Sequence, residues 1–121
     1  MSTIKVDTIK NTSNVEVFTA KAWVNFNGTN TVAIRASGNV TSITDNGTGD
    51  YTVSFTNAIS DANYSVLTTA GSTYDSRRGA AEAEVYSYST TSVVIRGAVS
   101  ARETSEGGFA DWEFLNVAVF R

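Results

Sequence analysis

The sequence predicts an all-β protein: a single β-sandwich, with barrel-like closure as the variant, built from about nine or ten short antiparallel strands. Three observations predict it. Apolar and polar residues alternate with period two along most of the chain, which puts every second side chain on one face of a strand. Clusters of Asn, Asp, Ser and Gly interrupt that alternation at short intervals. No segment carries an apolar repeat of 3.6 residues, and the chain has no proline to mark a helix start.

The elements follow in order. Ile4 and Val6 open a short alternating stretch, which a polar break at Asn11-Thr12-Ser13-Asn14 ends before Val15 and Val17 begin another. Ala22, Val24 and Phe26 point one way and Trp23 and Asn25 the other, after which Asn27-Gly28 has the composition of a hairpin turn. Val32, Ile34 and Ala36 form the next run, closed by Ser37-Gly38. After Val40 to Thr44, the cluster Asp45-Asn46-Gly47-Thr48-Gly49-Asp50 supplies residues that tolerate positive φ. Tyr51, Val53 and Phe55 alternate with Thr52 and Ser54 as a half-buried strand. Tyr64, Val66 and Thr68 follow a turn at Asp61-Ala62-Asn63. Ala81, Ala83 and Val85 face away from Glu82, Glu84 and Tyr86, and Val93, Ile95 and Val99 make the next strand. The nearly continuous apolar run Phe114 to Phe120 reads as a central strand covered on both faces. The expected core is Val24, Phe26, Ile34, Tyr51, Val53, Phe55, Val66, Val85, Ile95, Leu115 and Val117.

A chain of 121 residues suits one core, for which surface scaling gives about two-thirds of the unfolded surface buried on folding. Residues 1–19 read as an arm for attachment or oligomerisation: Ile4, Val6, Ile9, Val15 and Val17 alternate, yet so small a domain has little room to bury them. Residues 20–121 make up the sandwich. Charged residues are only 17% of the chain, the net charge is −3, and the nine basic residues are scattered, with Arg77–Arg78 the only adjacent pair. Nucleic-acid binding needs cations gathered on one face, so none is expected. The N-terminus lacks the apolar core of a signal peptide, and no apolar stretch approaches membrane-spanning length. The expectation is therefore a protein made in a cytoplasm, neither secreted nor inserted in a membrane, whose five Asn-x-Ser/Thr sequons carry no weight.

Catalytic chemistry has little to draw on. The chain has no histidine and no cysteine, which removes the commonest general base, the Ser-His and Cys-His nucleophile pairs and the soft-metal ligands. Glu82 and Glu84 share a strand face about 7 Å apart, within the range of paired glycosidase carboxylates, but such enzymes need one carboxyl buried. Asp111 and Glu113 flank Trp112 with the same spacing. There a sugar-stacking platform competes with the favoured reading, a Trp packed over the end of the core. Asp45 to Asp50 lacks the alternating ligands and terminal Glu of a calcium loop and reads as a tight turn. No enzyme activity, cofactor or metal is expected. Two connections exceed hairpin length, Gly71–Gly79 and Ala101–Ala110, and loops on a rigid scaffold are where binding concentrates. Their aromatic and guanidinium residues, Tyr74, Arg77, Arg78, Arg102 and Phe109, together with Trp112, are the candidate receptor-binding set.

The stretch Ala22-Trp23-Val24-Asn25-Phe26-Asn27-Gly28-Thr29, with Val32-Ala33-Ile34-Arg35 and Ile43 through Phe55, resembles a β domain of bacteriophage tail-fibre and tail-associated proteins, especially marine and cyanobacterial ones. The opening Ser2 to Ile9 and the close Asn116 to Arg121 resemble the ends of such proteins, whereas residues between Gly71 and Phe109 carry no resemblance. The resemblance implies a virion component that forms homo-oligomers, usually trimers, and transfers no catalytic residue. The expected function is a small tail-fibre or tail-tip protein: the arm joins a neighbouring virion protein and the loops face the host surface, where a glycan is a candidate partner. The alternative is a capsid decoration protein that cements the phage head. A carbohydrate-degrading enzyme acting through Glu82 and Glu84 is the remaining reading.

Overall fold

The computed structural model describes residues 2–72, 81–99 and 108–121. Nine strands are present among them: β1 (Ala22–Asn27), β2 (Ala33–Gly38), β3 (Val40–Gly47), β4 (Asp50–Phe55), β5 (Ser65–Gly71), β6 (Ala81–Tyr88), β7 (Ser92–Val99), β8 (Gly108–Phe109) and β9 (Phe114–Phe120). All pairings are antiparallel. One sheet has the order β2-β1-β9-β5; the other has β3-β4-β7-β6, with β8 paired to the end of β7. The two sheets stay separate and form a sandwich, not a barrel.

The alternation read in the sequence sets the inner faces. From the first sheet, Ala22, Val24, Phe26, Leu115, Val117 and Val119 point inward; from the second come Tyr51, Val53, Phe55, Val93 and Ile95, all nearly solvent-free. Each large apolar side chain so buried contributes about 1.5–3 kcal/mol. Aromatic contacts mark both ends of β4. At one end Phe26 meets Tyr51 edge-on at 5.2 Å; at the other Phe55 meets Tyr64 at 6.0 Å. The Tyr64 hydroxyl lies within hydrogen-bond distance of the Ser89 and Ser92 carbonyls, which ties the approach to β5 to the β6–β7 turn. Thr68 Oγ1 donates to the Ala83 carbonyl at 2.6 Å and links the edges of the two sheets.

Several expectations need correction. Ile34 is not core. It pairs with Phe26 across the β1–β2 ladder but is 37% exposed, because β2 is an edge strand at the sandwich rim. β9 is central in its sheet, yet only Leu115, Val117 and Val119 are buried; its other face is partly open, so it is covered on one side. Asn27-Gly28 is not the hairpin turn. The connection runs on to Val32 with positive φ at Asn30, while Gly28 is buried for a different reason: a Cβ there would lie 2.5 Å from Tyr51 Oη and 2.8 Å from Leu115 Cδ1. The arm is not a strand. Residues 2–21 make no ladder with either sheet, only an isolated bridge between Lys10 and Glu16. The 45–50 cluster is the tight turn expected, with Gly47 and Gly49 at φ of 134° and 63° and Asp45 Oδ1 accepting from the Gly47 amide.

Candidate functional site

The sandwich has two chemically different ends. At the first, the arm enters through Lys21, whose amide donates to the Val119 carbonyl. Asn39, held at positive φ, pins this end with its side chain: Nδ2 donates to the Lys21 and Asn57 carbonyls and Oδ1 accepts the Asn57 amide. Arg121 grips Asp61 with two bonds of 2.9 and 2.7 Å, and this guanidinium lowers the Asp61 carboxyl to about 2. The depressed value means that the pair's stabilisation is present above the ordinary carboxylate range and is lost as pH falls toward 2. Both groups are solvent-exposed, so the pair anchors the C-terminus locally and adds little to global stability.

The arm leaves this end with its apolar side chains uncovered. Ile4 is 88% exposed and Phe18 75%; Val6, Ile9, Val15 and Val17 range between 44% and 57%. It folds back on itself at Asn11–Asn14, where Asn11 Oδ1 accepts the Ser13 and Val15 amides, and the Asn11 and Val17 amides donate to the Val15 and Ile9 carbonyls across the Lys10–Glu16 bridge. The arm roots beside a second apolar feature. Across the outer face of the first sheet, Trp23, Ala118 and Leu67 are register neighbours, with Trp23 and Leu67 both substantially exposed. Phe18 and Phe120 line one groove of about 300 Å³ next to that row.

At the second end lie the 46–49 turn and the roots of both long connections: Ser72 and Ala81 for one, Val99 and Gly108 for the other. Two glycines let the backbone close here. A Cβ on Gly49 would stand 2.5 Å from the Gly97 carbonyl oxygen, and one on Gly97 would stand 2.7 Å from that of Ala110. Asp111 accepts the Gly49 amide at 2.7 Å and the buried Tyr51 hydroxyl at 2.6 Å; the Gly28 carbonyl, 2.8 Å away, is a second acceptor for the same proton. Burial first, and the Asp111 hydrogen bond second, push the Tyr51 phenol well above its ordinary range. A raised folded value means stability that is complete below pH ~10 and is lost as pH rises beyond it. The thermal midpoint is therefore expected to fall steeply above pH ~10. Tyr51→Phe should lower it at neutral pH, by about 1–3 kcal/mol of stability, and flatten the alkaline fall, measured by thermal melts across pH. An alkaline limb unchanged in Tyr51→Phe would rule this group out as its source.

Of the candidate receptor residues, Tyr74, Arg77, Arg78 and Arg102 lie outside the described residues. Phe109 is 53% exposed at this end. Trp112 is only 3% exposed; its Nε1 donates to the Ala98 carbonyl and its ring packs against Gly97, so it fills the core end and offers no stacking face. Glu82 and Glu84 stand exposed on the outer face of the second sheet.

That outer face carries a cluster not expected as a site. Arg96 lies between Glu84 on β6 and Asp50 on β4 in the ladder. Its Nε donates to Asp50 Oδ2 at 3.3 Å, and its guanidinium carbon sits 3.4 Å above the Tyr86 ring and 5.2 Å from that of Phe109. Asn46 donates to Asp50 Oδ1 and to Thr52. Both Tyr86 and Asn46 are the extra residues of β-bulges, between Val85 and Ser87 and between Asp45 and Gly47. Alternation alone places Tyr86 on this face with Glu82 and Glu84, but it does not give the register that brings Arg96 and Phe109 alongside. Among the described residues no cluster of three or more potential metal ligands occurs, and no helix is long and apolar enough to cross a membrane. No protein-family model, curated protein or solved structure matches the chain.

Proposed function

We propose that this protein is a structural component of a bacteriophage particle, a small tail-fibre or tail-tip protein that takes part in host attachment. The observation that carries this reading is the two-ended layout. The uncovered apolar arm roots at one end of the sandwich, beside Lys21 and Arg121, and both long connections root at the other, beside Gly49 and Gly97. β4, which runs between the ends, has six residues and so spans about 20 Å. A protein built this way holds on with one end and presents the other. Six exposed apolar side chains on one arm also exceed what a solitary soluble domain gains by leaving in water.

Lys5 and Lys10 in the arm and Lys21 at its root provide amines for cross-linking. In intact particles of the phage that carries this chain, cross-links from these lysines are expected to reach a tail protein or a second copy. Cross-links to the major capsid protein would move the protein to the head, as a decoration protein. Its absence from purified particles would overturn the virion reading.

A further inference from the structure

We propose that the outer face of the second sheet, at the end away from the arm, binds an uncharged sugar ring on Tyr86 and Phe109. The inference specifies the receptor-facing half of the function proposed above and rests on it for biological context, although its chemistry can be tested on the isolated protein.

Four observations carry it. First, two aromatic side chains stand 60% and 53% exposed on a rigid sheet beside one guanidinium. Isolated exposed aromatics on β faces are ordinary, but a pair sharing one polar centre is a platform with both stacking surface and hydrogen-bonding capacity. Second, strand alternation places Tyr86 on the outer face with Glu82 and Glu84, directly after the inward-facing Val85, and Arg96 on the neighbouring strand lies against its ring. Arg96 covers one face of the ring; with the side chain still 60% exposed, the opposite face is open for stacking. Third, the polar groups are held in place before any ligand arrives. The bulge in β3 places Asn46 against Asp50, Asp50 fixes Arg96, and the Arg96 side chain is about three-quarters buried. Asp50 is the hydrogen-bond acceptor that holds the guanidinium among the described residues, which leaves its remaining N–H groups for ligand hydroxyls.

The fourth observation selects the ligand class. Among the described residues, one guanidinium shares this face with three carboxylates, those of Asp50, Glu82 and Glu84. An anionic sugar would meet three carboxylates against one guanidinium among these described side chains, whereas the hydroxyls of a neutral pyranose can donate to carboxylates and accept from Arg96, its C–H face lying on an aromatic ring.

The test is an amide NMR titration of the full chain with methyl mannoside, methyl galactoside, methyl glucoside and, as the acidic comparison, N-acetylneuraminic acid. At least one neutral glycoside is expected to shift amides of β6, β7 and β8 with a millimolar-range Kd, and neuraminic acid to bind more weakly. Tyr86→Ala and Phe109→Ala should each weaken that binding about tenfold, equivalent to about 1.4 kcal/mol, while leaving the other amide positions unchanged. Because both side chains are largely exposed, the variants should fold, and their unperturbed spectra check this. No shift with any neutral glycoside, tighter binding of the acid, or concentration-dependent shifts on this face without sugar would each overturn the proposal; the last would make the face a contact between copies. Cross-linking to a tail protein with no glycoside binding would leave the virion role standing without this site. Glycoside binding by a protein missing from particles would do the opposite.

Discussion

Phe26→Ala is expected to destabilise the protein by about 3–5 kcal/mol, which for a domain of this size removes a large part of its total stability. The Phe26 side chain is fully buried, packs edge-on against Tyr51 at 5.2 Å, and sits on β1, whose other neighbour is the central strand β9. Truncating it loses the transfer free energy of the ring and leaves a cavity, and the surroundings cannot close it. The tyrosine opposite is anchored through its hydroxyl to Asp111, and Gly28 leaves no slack beside it. Phe55→Ala, at the other end of β4 and 8% exposed, belongs in the same range or slightly below it. The contrast is Ile34→Ala, directly opposite Phe26 in the ladder but at the exposed rim, which should cost less than about 1 kcal/mol. Urea denaturation of the three variants checks the set. Comparable losses for Phe26 and Ile34 would mean that β2 is covered as fully as β1, contrary to the structure.

Deleting residues 2–14 is expected to leave the sandwich folded and to reduce the mass of the assembly in solution. The deleted segment makes no ladder with either sheet, and its apolar side chains contribute to no buried core. Its removal therefore subtracts almost nothing from the folding free energy of residues 20–121. What it does subtract is an apolar surface that favours association, and the acceptor available on the same chain is the row Trp23, Ala118 and Leu67 with Phe120 beside it. Light scattering reads the mass and circular dichroism the fold. A full-length chain that is already monomeric at high concentration, or a deletion with unchanged mass, would show that the arm does not join copies of this chain. Loss of the β spectrum would show instead that the arm stabilises the sandwich.

The sequence alone determined the class of fold, because a period of two is a local property: each strand's inner face is written in its own residues, as in Tyr51, Val53 and Phe55. Those residues, with Val24, Phe26, Ile95, Leu115 and Val117, are in the core where the alternation placed them. The same alternation in residues 2–19 forms no ladder with either sheet, and Ile4, Val6, Ile9, Val15 and Val17 stay exposed. Tertiary structure decided whatever depends on a neighbour. Ile34 has the right period but lies on an edge strand, and no local pattern says which strand is at the edge. Gly28 looked like a turn residue, whereas its lack of a Cβ serves the close approach of Tyr51 and Leu115 from elsewhere in the chain. Trp112 could have stacked on a ligand or filled the core, and only the packing against Gly97 made it core. The Tyr86–Arg96–Phe109 cluster joins three strands through their register. Its members are up to 23 residues apart along the chain, so only the pairing of β6, β7 and β8 made them neighbours.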